Sequence, residues 1–84
     1  MSTGSKGWSA KLTRTIVLKD GTTLATLADV RALILKEPQH IQERGSWQRT
    51  TELIILAAER DGSIEAATLQ IEDALFLEAR YVRR

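Results

Sequence analysis

The 84-residue chain has no cysteine, a single proline and a single histidine. Without a thiol there is no disulfide framework, no thiolate metal site and no cysteine nucleophile, a composition suited to a reducing cytoplasm. His40 alone cannot build a metal centre, because such sites draw on several protein ligands. It reads instead as a solvated loop side chain, since its special roles need partners. Long apolar runs are missing too. The longest covers residues 53–58, against the ~20 needed to cross a bilayer. The opening MSTGSKGWSAKL contains no apolar core of a secretory signal. These absences predict a cytoplasmic protein without membrane contact.

Motifs that carry chemistry are equally scarce. No G-x-S-x-G, H-E-x-x-H, phosphate-binding or dinucleotide-binding glycine pattern occurs. Glu72 and Asp73 are adjacent on a predicted helix and so point about 100° apart, which suits a solvated face better than a catalytic dyad. Glu65 and Glu78 read likewise as surface carboxylates. The expectation is a non-enzymatic protein with no catalytic residues, no metal site and no cofactor.

What the chain does contain is an ordinary globular balance, 43% hydrophobic and 27% charged residues, enough apolar material for one small core and not for two. The formal charge of +1 hides an uneven layout. Residues 1–19 carry Lys6, Lys11, Arg14 and Lys19 and no acid; residues 80–84 add Arg80, Arg83 and Arg84; the intervening stretch is strongly acidic. Basic termini are commonly solvated tails. The alternative is contact with an anionic partner such as nucleic acid, through Lys11, Arg14, Lys19, Arg80, Arg83 and Arg84.

Along the chain, residues 1–7 are rich in Ser, Gly and Thr and predict a flexible arm. Residues 8–82 form the single domain, and 83–84 a basic tail. Trp8 is expected to cap the edge of the core, with stacking on a ligand as the functional alternative. Residues 11–27 predict a β-hairpin turning at Asp20-Gly21, with positive φ at both central positions. That turn pairs Lys19 with Thr22, Val17 with Leu24 and Ile16 with Ala25. It places Val17 and Leu24 on one face and Ile16, Leu18, Ala25 and Leu27 on the other.

Thr26-Leu27-Ala28-Asp29 has capping-box spacing and opens a first helix. Leu27, Val30, Leu33 and Ile34 supply its apolar stripe, and Pro38 stops it near Lys36. A polar connection over residues 38–45 follows. Ser46 is expected to cap a second helix running to about Arg60, apolar on most sides through Trp47, Leu53, Ile54, Ile55, Leu56, Ala57 and Ala58. A helix of that kind is central to a fold or shared between subunits. Asp61-Gly62 ends it, with Gly62 as the left-handed residue. Ser63 caps a third helix reaching about Tyr81. Its stripe is Ile64, Ala67, Ile71, Ala74, Leu75 and Val82, while Leu69, Phe76 and Leu77 lie away from that stripe. A two-residue link makes the second and third helices antiparallel neighbours.

The order of these features is Trp8, a strand with Val17, Gly21 in a turn, a short helix before Pro38, Trp47 early in the next helix, Asp-Gly, and Ala-Leu-Phe-Leu-Glu-Ala at residues 74–79. It resembles a family of short, uncharacterised proteins of rhizobia and other alphaproteobacteria, grouped as a domain of unknown function. The similarity would span residues 8–82. Glu37 stands where that family commonly carries an aromatic before the proline. The resemblance implies a hairpin with three helices and brings no catalytic residues.

The reading is therefore an α+β domain acting as a small interaction or regulatory protein. It would contact a protein partner or a second copy of itself through Trp47, Leu53, Ile55, Leu56 and Phe76. A nucleic-acid-binding module is the alternative.

Overall fold

The computed structural model describes residues 7–81. The arm expected over residues 1–7 lies outside them apart from Gly7, as do Val82 and the 83–84 tail. An antiparallel hairpin, β1 (Lys11–Val17) and β2 (Thr23–Thr26), is followed by α1 (Leu27–Lys36), α2 (Gln39–Gln42), α3 (Gly45–Glu59) and α4 (Ile64–Leu77). The α+β class and the hairpin-then-helices order stand as expected, and α3 and α4 pack closely against each other. The helix count rises from three to four, because the polar connection after Pro38 winds into the short α2.

The hairpin register differs from the expected one by a residue. Ile16 faces Leu24 and Val17 faces Thr23, with an irregularity between Lys11 and Ile16. The cause is the turn. Leu18 N–H donates to the Thr22 carbonyl (2.8 Å) and Gly21 N–H to the Leu18 carbonyl (3.0 Å). The Asp20 carboxylate accepts from Thr22 N–H at 2.9 Å, a side-chain turn that stands in for backbone geometry. Only Gly21 has positive φ there, at 92°. The loop is thus longer than two residues, and the slip changes which side chains face inward. Ile16, Leu18 and Leu24 all enter the core, whereas Val17 is 56% exposed.

The predicted capping box closes α1. Thr26 Oγ1 accepts from Asp29 N–H, and the Asp29 carboxylate accepts from the N–H groups of Thr26 and Ala25. Leu27 and Ala28 direct their N–H groups to the Ala10 and Trp8 carbonyls, so the orphan donors of the first turn are met. Glu37 is extended (ψ 148°) before Pro38, as proline requires of its predecessor.

Ser46 does not cap α3. The N-cap is Arg44, without a side-chain bond, and Ser46 lies in the first turn, where its carbonyl accepts from Thr50 Oγ1 and Gln70 Nε2. At the other end the left-handed residue is Asp61 (φ 62°), not Gly62. Gly62 instead meets the last turn of α3 so closely that a Cβ there would lie 3.0 Å from the Leu56 carbonyl carbon. Ser63 caps α4 as expected, accepting from Ala66 N–H. That helix ends at Leu77 rather than near Tyr81, because Ala79 turns left-handed (φ 60°). Tertiary bonds hold the reversal: Lys19 N–H reaches the Arg80 carbonyl at 2.9 Å, and Tyr81 Oη donates to Glu72 at 3.0 Å.

The core gathers Leu12, Ile16, Leu18 and Leu24 from the hairpin, Leu27 and Val30 from α1, Trp47, Ile54 and Ala57 from α3, and Ala67, Ile71, Ala74 and Leu75 from α4. Two threonines are buried with it. Thr50 and Thr68 donate to carbonyls one turn back, and Thr68 also accepts from Thr13 N–H, tying β1 to α4. Trp47 Nε1 is buried without a hydrogen-bond partner among the described residues.

Candidate functional site

The two basic ends of the chain do converge. The Lys19–Arg80 backbone bond joins the hairpin turn to the segment after α4. Two of their cations, however, are matched by acids. Arg14 on β1 donates through Nε to Glu72 at 2.8 Å and through a second nitrogen to the other carboxylate oxygen. Such a two-point ion pair is the strong form of a charge-assisted bond. The hydrogen bonds and charge of Glu72 raise the Arg14 guanidinium above its ordinary value. Glu72 is not the surface carboxylate expected: it is 6% exposed, because β1 and Tyr81 fold over that face of α4. Arg80 likewise pairs with Glu37 at 2.6 Å. Lys11 and Lys19 remain exposed, and Arg83 and Arg84 lie outside the described residues. Within the turn, the Asp20 carboxyl is held below its usual value by the hydrogen bonds from Thr22.

The five residues expected to form an apolar interface do not share a surface. Trp47 is 1% exposed and belongs to the core, since its position faces inward with Ile54. Leu53 is half-buried against the same core. Ile55 and Leu56 are both exposed, but consecutive positions diverge by about 100° around a helix. Phe76, half-exposed, lies on α4. Leu69 (48% exposed) lies seven residues before it and so on the same face of α4, while Leu77 (70%), the next residue along, points about 100° further round the helix. Leu69 and Leu77 were absent from the expected interface, although the sequence already set them apart from the buried stripe.

A second apolar feature is a groove of about 280 Å³ between α1 and α3, with Trp8 at one wall. Ile34, Leu35, Ile54 and Ile55 line it, and Arg31, Gln42, Thr51 and Glu59 bring polar atoms to it. Trp8 does pack at the core margin as expected. It is also clasped: its Nε1 donates to Glu59 at 3.0 Å, and the Arg31 guanidinium sits over its ring, 5.2 Å from the centroid, within cation–π range.

Among the described residues, no group of three or more His, Asp or Glu side chains could hold a metal ion, and no helix is long and apolar enough to cross a membrane. The chain matches no family model, and no characterised protein or solved structure shows significant similarity to it. The expected kinship with the alphaproteobacterial family therefore rests on the residues that suggested it.

Proposed function

We propose that the protein is a small cytoplasmic interaction module whose contact surface is the outer face of α4. The supporting observation is the pair Leu69 and Phe76, seven residues apart on one face of α4 and each about half exposed, with the exposed Leu77 flanking them. Contiguous exposed apolar surface on a small soluble domain marks an interaction site. A second copy of the chain is the simplest occupant, because symmetric dimers are the commonest assemblies and a helix face can pair with itself across a two-fold axis. A short chain without disulfide or metal also gains stability from such an association.

Light scattering across a hundredfold concentration range tests this. The wild type is expected to pass from monomer to dimer, while Leu69→Glu/Phe76→Glu stays monomeric with unchanged helical content. Both side chains are exposed, so the variant should fold. A wild type that remains monomeric at every concentration removes self-association; unaltered association in the variant removes this face.

The nucleic-acid reading has one observation in its favour, the convergence of the hairpin turn with the segment at Arg80. Its weakness is that Arg14 and Arg80 are already matched by Glu72 and Glu37. Titration with labelled duplex at low salt decides it: binding through phosphates must weaken steeply as salt rises.

A further inference from the structure

We propose that the groove between α1 and α3 is a binding site for a small amphiphilic monocarboxylate, an aryl- or alkyl-alkanoate whose apolar body lies in the groove and whose carboxylate meets Arg31. The inference is independent of the α4 surface, since Leu69, Phe76 and Leu77 do not line this groove.

Four observations carry it. The first is shape. At about 280 Å³ the space suits a ring or a short alkyl chain and is too small for a drug-sized ligand or a partner helix. The second is the apolar lining: Ile34 and Ile54 at the core side, Leu35 and Ile55 at the exposed lip, and the Trp8 indole.

The third is the state of the two charges at the rim. Glu59 already accepts the indole N–H of Trp8. Arg31 makes a cation–π contact with the ring but has no hydrogen bond or carboxylate partner among the described residues. No acceptor among the described residues takes its planar set of N–H donors, and a carboxylate is the group that such a fork matches best.

The fourth is preorganisation. Trp8 is fixed through its carbonyl, which accepts Ala28 N–H at 2.8 Å, and through its Nε1 bond to Glu59. The wall of the groove is thus built by main-chain bonds to the start of α1, so little ordering remains to be done when a ligand arrives.

The test is a two-dimensional NMR titration of the full chain with 4-phenylbutanoate, alongside its uncharged counterpart 4-phenylbutanamide. Saturable shifts are expected at the Trp8 indole N–H, the Arg31 Nε–H and the Leu35 and Ile55 methyls, with the Trp47 indole N–H as a buried reference. The carboxylate should bind about tenfold more tightly than the amide, and Arg31→Gln should erase most of that difference. Glu59→Gln keeps an acceptor for Trp8 Nε1 while deleting a like charge, so it should bind the carboxylate as well as the wild type or better. Equal affinity for acid and amide, an unaffected Arg31→Gln, or shifts that do not saturate would each overturn the proposal. Because Arg31 is exposed, its replacement leaves the fold intact.

Discussion

Gly62→Ala is the substitution whose effect follows most directly from the structure. The added Cβ would sit 3.0 Å from the Leu56 carbonyl carbon and 3.1 Å from both its oxygen and its Cβ. That oxygen is held in place, accepting Arg60 N–H at 2.9 Å and Gly62 N–H at 2.8 Å, so the end of α3 cannot easily recede. Overpacking of this kind costs about 1–3 kcal/mol. Alanine also narrows the unfolded ensemble, which returns about 0.4–1 kcal/mol. The net expectation is a loss of about 1–2 kcal/mol, or several degrees in Tm for a domain of this size. Leu56→Ala should not rescue it, because all three crowding atoms remain.

Asp61 supplies the discriminating arm. It holds the left-handed φ, so Asp61→Gly relieves strain there while loosening the unfolded chain, and should be the better tolerated of two replacements that both remove the carboxylate. Asp61→Val, with a branched Cβ in that region, should lose about 1–3 kcal/mol. Urea denaturation of the three variants measures these differences. If Gly62→Ala costs nothing, or Asp61→Val is tolerated as well as Asp61→Gly, the assignment of crowding to Gly62 and left-handedness to Asp61 is refuted.

Three further expectations can be checked by the same assay. Ile16→Ala should lose about 2–5 kcal/mol, whereas Val17→Ala should stay within about 0.5 kcal/mol as a surface change; similar losses at both positions would mean the register is not as described. Thr26→Ala removes the acceptor for Asp29 N–H and should lose about 1 kcal/mol, while Ser46→Ala, which caps nothing, should lose far less. The lowered pKa of Asp20 means that its contribution is fully present above its usual value of 3.8 and disappears as pH falls through the lowered one. Stability curves of wild type and Asp20→Asn should therefore differ in slope only on the acid side, and parallel curves below pH 4 would contradict the Thr22 hydrogen bonds.

Local chemistry made much of this fold legible in the sequence. Thr26 and Asp29 carry their capping geometry in their spacing, Pro38 dictates an extended Glu37, and Ser63 marks the start of α4; each signal acts within four residues and needs no tertiary partner. What could not be read depended on distant contacts. Ala79 is a good helix former, and the chain reverses there through bonds made after it: Arg80 N–H to the Leu75 carbonyl, the Arg80 carbonyl to Lys19 N–H, and Tyr81 Oη back to Glu72 on α4. Glu72 looked like a surface carboxylate because its partners, Arg14 and Tyr81, are 58 and 9 residues away. The groove was hidden for the same reason. Trp8 was flagged, but Arg31 and Glu59 become its neighbours only when α1 and α3 pack.

The hairpin register is the instructive exception, since its correct form was within reach. A two-residue Asp-Gly turn splits the apolar residues between two faces, and so few helices can cover only one. That conflict between turn chemistry and hydrophobic pattern should be settled by the pattern, because the burial of several side chains at about 1.5–3 kcal/mol each outweighs the few tenths that separate turn types. Lengthening the loop by letting Asp20 bond to Thr22 N–H brings Ile16, Leu18 and Leu24 to the same side and leaves Val17 to solvent. The same weighing bears on the proposed interaction surface. On α3, Ile54, Ala57 and Ala58 of the apolar run pack inward and Leu53 is half-buried against the core, while Ile55 and Leu56 stay exposed, so most of the greasiness there signals the core. On α4, Leu69, Phe76 and Leu77 lie away from a stripe that already satisfies the core, and each leaves about half or more of its surface to solvent.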